Sequence, residues 1–277
     1  MTAPPSCKTL LLRRDGARLH LTLNRPETKN ALSAEMVQEL LAVVAYLEQS
    51  HDIGAVVLRG SGGTFCAGGD IKGFMAQFET PPPAPGAKDP IALQNRRFGA
   101  FLARFDRLPQ TIVTVIEGAA FGGGLGLAAI GDVALGMADA RFAMSETGLG
   151  IVPAQIAPFV AARVGVPQAR RLALTGERFD GREAWRIGLV HHLCEDSAAL
   201  ESVLLRVLGD IGRCAPGANA ATKRLLLASR TTPLDALLDQ AADAFAAALR
   251  GAEGKEGITA FIEKRPASWV DKPETPH

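Results

Sequence analysis

Three observations predict an α/β fold with a β/α core and a helical C-terminal region. Apolar, β-branched runs alternate with helical periodicity up to about residue 195. The first of them follow one another as strand, helix, strand, an order that suggests parallel pairing. From about residue 197 the pattern is helical throughout, with turns at Pro216, Pro233 and Gly251. The expected organisation is therefore residues 1–195 as the core and 196–277 as a helical C-terminal region.

Residues 18–24 alternate Leu19, Leu21 and Leu23 with polar partners, which makes a strand with one buried face. Asn24-Arg25-Pro26 ends it. Ser33 stands where a hydroxyl caps the first free N–H groups of a helix. Met36, Val37, Leu40, Leu41, Val44 and Leu47 then form one apolar stripe. Ala55–Arg59 is the next strand and runs into a glycine turn, Phe65-Cys66-Ala67-Gly68-Gly69-Asp70. Residues 79–90 carry five prolines and cannot be regular; they form either a surface connection between helices or a lid beside a pocket.

Ile112–Ile116 is a continuous apolar strand, buried on both faces. It leads to a second glycine turn, Phe121-Gly122-Gly123-Gly124-Leu125-Gly126, which opens a buried helix reaching Ile130. Asp132–Leu135 and Arg141–Met144 are two further short strands. No internal repeat suggests a solenoid.

Composition narrows the function classes. The 277 residues are 47% hydrophobic and 21% charged with a net charge of +1, so no basic surface calls for nucleic acid. Aromatics make up 5%, too few for a base-stacking platform. The four cysteines lack metal or C-x-x-C spacing and are expected to be free thiols. The N-terminal segment has no signal-peptide core, and no run has the ~18 apolar residues of a membrane helix. A cytoplasmic protein with no membrane or nucleic-acid partner is expected.

The chemistry is expected at the glycine turns. Singly, each is ordinary packing punctuation. Together, after buried strands and with one opening a helix, they can aim two backbone N–H groups at one developing negative charge. Neither fits a phosphate loop. Glu146 follows a short strand among the apolar residues Phe142, Met144, Leu149 and Ile151. A carboxylate in such a dry setting has a raised pKa and suits a general acid/base.

These motifs, in this order and spacing, resemble the enoyl-CoA hydratase/isomerase (crotonase) family over nearly the whole chain. Asn24-Arg25-Pro26 with Asn30-Ala31-Leu32 resembles its opening signature, residues 65–72 its first oxyanion turn, and Gly118 to Asp132 its second. The resemblance implies the family's β/α spiral fold. It also implies an oxyanion hole formed by the N–H groups of Gly69 and Gly123, holding a CoA thioester oxygen. Arg25, Lys29, Ala67, Asp70, Ile71 and Lys72 fall where the family contacts CoA, and Phe261 and Lys264 where it reaches a neighbouring subunit's CoA. No separate cofactor or metal is implied, because coenzyme A belongs to the substrate. Self-association as a trimer or dimer of trimers through residues 196–277 is implied as well.

The chain departs from the two-glutamate hydratases at Gly126, where the first glutamate stands; Glu146 matches the second. One carboxylate leaves three outcomes: hydration with Glu146 handling both proton and water, one-base isomerisation, or lost hydration in a member kept for binding. Residues 145–159, 178–184 and 214–223 resemble a subgroup acting on branched glutaconyl-CoA esters, for which Gly126 is expected to empty volume beside the double bond. Arg96 and Arg97 are either partners of the substrate carboxylate or a solvated helix face. Phe74, Met75 and Phe98 are either an acyl sleeve or core packing.

Overall fold

The computed structural model describes residues 3–270. Its elements in chain order begin with β1 (Leu10–Asp15), β2 (Arg18–Leu23), α1 (Ala34–Glu48) and β3 (Ala55–Gly60). There follow α2 (Ile71–Gln77), α3 (Pro90–Asp106), β4 (Thr111–Ile116), β5 (Ala119–Phe121), α4 (Gly123–Ala129), β6 (Val133–Met137) and β7 (Arg141–Ala143). The remainder is α5 (Ala157–Thr175), β8 (Arg178–Asp180), α6 (Gly181–Arg186), β9 (His192–Cys194), α7 (Ser197–Gly212), α8 (Pro216–Ala228), α9 (Leu234–Arg250) and α10 (Ala252–Ile262). The α/β expectation holds, with a helical C-terminal region.

A six-stranded sheet runs in the order β1-β2-β3-β4-β6-β9, and a three-stranded sheet in the order β5-β7-β8. The strand–helix–strand reading of β2, α1 and β3 is correct, and β2 and β3 pair in parallel. The antiparallel partner β1 is an addition: Leu10-Leu11-Leu12-Arg13-Arg14-Asp15 does not alternate, and this edge strand is mostly exposed.

Central position in the sheet explains the apolar runs. Along β3 and β4, Val56, Leu58, Ile112 and Ile116 join a core beneath α1, α3, α4 and α5. The alternate residues Ala55, Val57, Val113 and Val115 meet Leu200, Leu204, Val207 and Leu208 of α7 on the other face. Such residues gain roughly 1.5–3 kcal/mol each from full burial. Ser33 caps α1 as expected, its Oγ accepting from the Met36 N–H at 3.1 Å. The buried stripe of α1 is Met36, Leu40, Val43, Val44 and Leu47; Val37 and Leu41 stand at its margin. Inside α5 the helix breaks at Gly165, which takes φ 78°, ψ 153° just before Pro167.

The C-terminal helices are attached by polar clips. The Lys223 ammonium donates to Asp132 Oδ2 at 2.7 Å and to the Gln110 carbonyl at 3.1 Å. The Glu253 carboxylate accepts from the N–H groups of Gly217 and Ala218 at the start of α8. No residue of α8 or α9 is buried, and Leu234, Leu238, Phe245 and Leu249 of α9 are exposed. All four cysteines are free. Among the described residues no helix is long and apolar enough to cross a membrane.

One buried amide organises the loops that follow β2 and β3. Asn30 is fully buried with φ 56°; its Oδ1 accepts from the Arg25 N–H at 2.8 Å. Its Nδ2 donates to the carbonyls of Ser61 at 2.9 Å and Thr64 at 2.6 Å. Asn30→Ala removes three buried hydrogen bonds at roughly 1 kcal/mol each, so a loss of about 3 kcal/mol is expected in chemical denaturation. Lys223→Met leaves Asp132 without its cation. Because that pair is only partly buried, a loss of about 2 kcal/mol is expected, below the roughly 3–5 of a fully buried pair.

Candidate active site

The two glycine turns meet backbone to backbone. The Cys66 N–H donates to the Ala119 carbonyl at 2.8 Å, and the Phe121 N–H returns to the Cys66 carbonyl at 3.0 Å. This short parallel bridge leaves no space for side chains. At Gly68, with φ 99°, a Cβ would stand 2.8 Å from the Phe121 carbonyl oxygen. At Gly124 it would stand 2.8 Å from the Cys66 Cβ. The glycines are thus there for close approach, and the approach sets Gly69 and Gly123 on either side of the contact.

The N–H groups of Gly69 and Gly123, expected to form an oxyanion hole, are left over by the secondary structure. Leu32 pairs with Gly68 and Asp70, its N–H donating to the Gly68 carbonyl and its carbonyl accepting from the Asp70 N–H. The Gly69 N–H between them makes no backbone hydrogen bond. Gly123 is the first residue of α4, so its N–H has no acceptor within the helix, and the helix dipole adds positive potential there. The Phe74 ring covers Gly69, with Cε2 2.7 Å from where a Cβ would lie; Leu32 and Phe98 cover Gly123 in the same way. Phe74 and Phe98 therefore pack on Gly69 and Gly123, while Met75 makes no such contact and is the more exposed. A cavity of about 110 Å³ adjoins this wall, lined by Leu32, Asp70, Phe74 and Gln94 among others.

Glu146 is brought to the second glycine turn through β7. The Gly122 N–H donates to the Ala143 carbonyl at 3.0 Å, which fixes the second turn against that strand. Glu146 then starts a short 3-10 turn closed by Gly150 in the left-handed conformation. Its Oε1 lies 2.9 Å from the position a Cβ would take at Gly122. Gly122 also adopts φ 49°, ψ −117°, a conformation open to glycine, so this position is required twice over.

Oε2 of Glu146 is buried and has no hydrogen-bond partner among the described residues. Burial pushes its pKa above the ordinary 4.5, offset in part by its own backbone N–H. The dry setting comes from Phe142 and Met144, which are buried; Leu149 and Ile151, also expected to supply it, are exposed.

At Gly126 the structure changes the expectation. The volume is not open: Ile156 fills it, its Cβ 3.0 Å from where the glycine's Cβ would lie, with Leu102 Cδ1 at 3.6 Å. Gly126 makes room for a protein side chain, and it shapes the site through Ile156. Sequence periodicity does not reveal this, because Ile156 lies thirty residues away in an irregular segment.

The residues expected around CoA form one group near the first turn. The Ala67 N–H donates to the Lys29 carbonyl at 2.9 Å, and Arg25 Nη1 lies 3.2 Å from Asp70 Oδ2. Asp70 also caps α2, accepting from the Lys72 N–H. Its carboxylate is thereby engaged in holding the loop, while Ile71, Lys72 and Lys29 are exposed. Phe261 and Lys264 stand apart, on and just after α10, which packs against α9; Phe261 is 85% exposed in the single chain. Arg96 and Arg97 are exposed on α3.

The profile of the Enoyl-CoA hydratase/isomerase family matches residues 14–272. The chain is similar to the solved structure of Pseudomonas aeruginosa AtuE, with 51% identity and a TM-score of 0.90 over 95% of this chain and 100% of that one. It is 33% identical to enoyl-CoA hydratase ACTT6 of Alternaria alternata over 88% of this chain and 78% of that protein. It is 31% identical to the peroxisomal Delta(3,5)-Delta(2,4)-dienoyl-CoA isomerase of Arabidopsis thaliana, over 94% and 96%. With two glycine turns in contact, a carboxylate against the second and a family match along nearly its whole length, the chain belongs to the enoyl-CoA hydratase/isomerase family.

Proposed function

We propose that this enzyme is a hydro-lyase that adds water across the C2–C3 double bond of a branched glutaconyl-type CoA thioester. The substrate named by the subgroup resemblance is isohexenylglutaconyl-CoA, an intermediate of acyclic terpene breakdown, with 3-methylglutaconyl-CoA as the nearest alternative. The observation that carries the reading is a carboxylate, Glu146, whose buried Oε2 has no hydrogen-bond partner among the described residues and which lies against the glycine turn of a two-donor hole.

In this mechanism Glu146 takes a proton from water as the hydroxyl oxygen bonds to C3. The electron pair of the double bond moves through C2 to the thioester oxygen, where the Gly69 and Gly123 N–H groups hold the enolate. Donors preorganised in this way supply a few kcal/mol each. Glu146 then returns the proton to C2. A raised pKa suits a group that must both accept and give back one proton. Arg25, Lys29, Ala67, Asp70, Ile71 and Lys72 would carry the CoA moiety, joined by Phe261 and Lys264 of another copy in a trimer or dimer of trimers. The site needs no group beyond the CoA of its substrate, and the proposed location is the cytoplasm.

The single base also serves a second reading, a double-bond isomerase that moves a proton between C2 and C4. Product analysis by mass spectrometry separates the two: hydration adds the mass of one water, isomerisation adds none.

Glu146→Gln is expected to lower hydration by roughly 10²–10⁴-fold while CoA-ester binding, followed by calorimetry, persists. Near-normal turnover would remove Glu146 from the mechanism. In the wild type the acid limb of kcat/KM should lie above pH 4.5, since the free base must be ionised. The same group has a stability signature. Above pH 4.5 it ionises freely in the unfolded chain but reluctantly in the folded one, so the wild type loses stability as pH rises through that window. Glu146→Gln lacks this loss and should melt at a higher temperature at pH 7, the difference vanishing at pH 4 and below.

A further inference from the structure

The proposed substrate places a demand that the residues assigned so far do not meet. In a glutaconyl ester branched at C3, the carboxylate is carried on a CH2 attached to C3. It therefore lies two bonds from the carbon that receives water, and its partner must sit in the wall beside the hole. That wall, where it covers Gly123 and Gly126, consists of Leu32, Phe98, Leu102 and Ile156, all apolar.

Gln155 is a polar neighbour of this apolar wall. It adjoins Ile156 in sequence and packs on Gly99 of α3, next to Phe98. Its Cδ lies 2.7 Å from the place of a Cβ at Gly99, and its Oε1 lies closer still. Phe98, Gly99 and Leu102 share one face of α3, so a single helix face touches Gly123, Gln155 and Gly126 in turn. The amide is half-buried, and no hydrogen bond joins it to any protein group among the described residues.

Gly99 shows what seating this amide requires. It lies in the middle of the 17-residue helix α3, where glycine is about 1 kcal/mol less favourable than alanine. Any side chain there would overlap the Gln155 amide. The helix thus accepts a poor residue to admit a polar group that the protein itself leaves unpartnered.

We propose that Gln155 is a specificity-determining residue, its amide NH2 donating to the substrate carboxylate beside C3. This rests on the branched glutaconyl reading given above. A neutral donor fits the place better than a guanidinium would. In the wall of the hole a fixed positive charge would favour the ionised form of the base and weaken its return of the proton to C2. The amide recognises the carboxylate without adding that charge.

The test compares 3-methylglutaconyl-CoA with 3-methylcrotonyl-CoA, which differ by the carboxylate, in wild type, Gln155→Met and Gln155→Glu. Wild type should prefer the carboxylated ester. Gln155→Met, close in volume, should lower that preference by roughly tenfold, mainly through KM, as expected for one hydrogen bond to a charged group. Gln155→Glu should lower it further by like-charge repulsion. An unchanged preference in both variants overturns the proposal, including the case in which both esters lose turnover equally because the amide holds water or packing. If wild type shows no preference for the carboxylated ester, the glutaconyl reading itself fails, and this inference with it. Circular dichroism and melting temperature confirm that each variant is folded.

Discussion

Two stretches of backbone pressed together without side chains between them are the constraint from which the site follows. The bridge of Cys66 to Ala120 can form because Gly68 and Gly124 carry no Cβ. From that contact come the placement of Gly69 and Gly123 on its two sides and the anchoring of Gly122 to β7. Through β7 comes the approach of Glu146. Cys66 itself is fully buried beneath the contact, and burial pushes its thiol up to about 12, so it stays protonated and inert. The cysteine serves as a small apolar filler in a place where a larger side chain would separate the turns.

The electrostatics of the site are built by omission. Several carboxylates of this chain have cations beside them, as Glu183 has Arg171 and Arg186. Among the described residues Glu146 has none, and its buried Oε2 has no hydrogen-bond partner. The exchange at Gly126 works in the same direction. Where a two-glutamate enzyme places a second carboxylate, this chain places the methyl groups of Ile156. A neighbouring carboxylate would raise the proton affinity of Glu146 by like-charge repulsion; here burial raises it instead.

Much of this was legible in the sequence because it is local. Leucine alternation marks β2, Ser33 marks the start of α1, and unbroken apolar runs mark strands covered on both faces. The glycine turns announce themselves by composition. What stays hidden is set by contacts between distant residues. The antiparallel β1 has no alternation because its edge position buries little. The break in α5 at Gly165 falls within one continuous helical segment, and the space expected open at Gly126 is taken by a residue from another segment. Leu149 and Ile151 looked like dry lining by proximity in sequence, yet the turn at Gly150 directs that stretch outward. Asn30 was visible as part of a motif, but its task of tying Arg25, Ser61 and Thr64 is written in three separate loops.

The bridge between the glycine turns also has a temporal meaning. It joins residues 66 and 120, while the strands it depends on pair across comparable distances in the chain. Contacts so far apart are entropically expensive to close and belong late on the folding path. The contact of the two turns therefore needs β3, β4 and α4 docked together, so the arrangement of Gly69, Gly123 and Glu146 depends on the whole core and on no single local element.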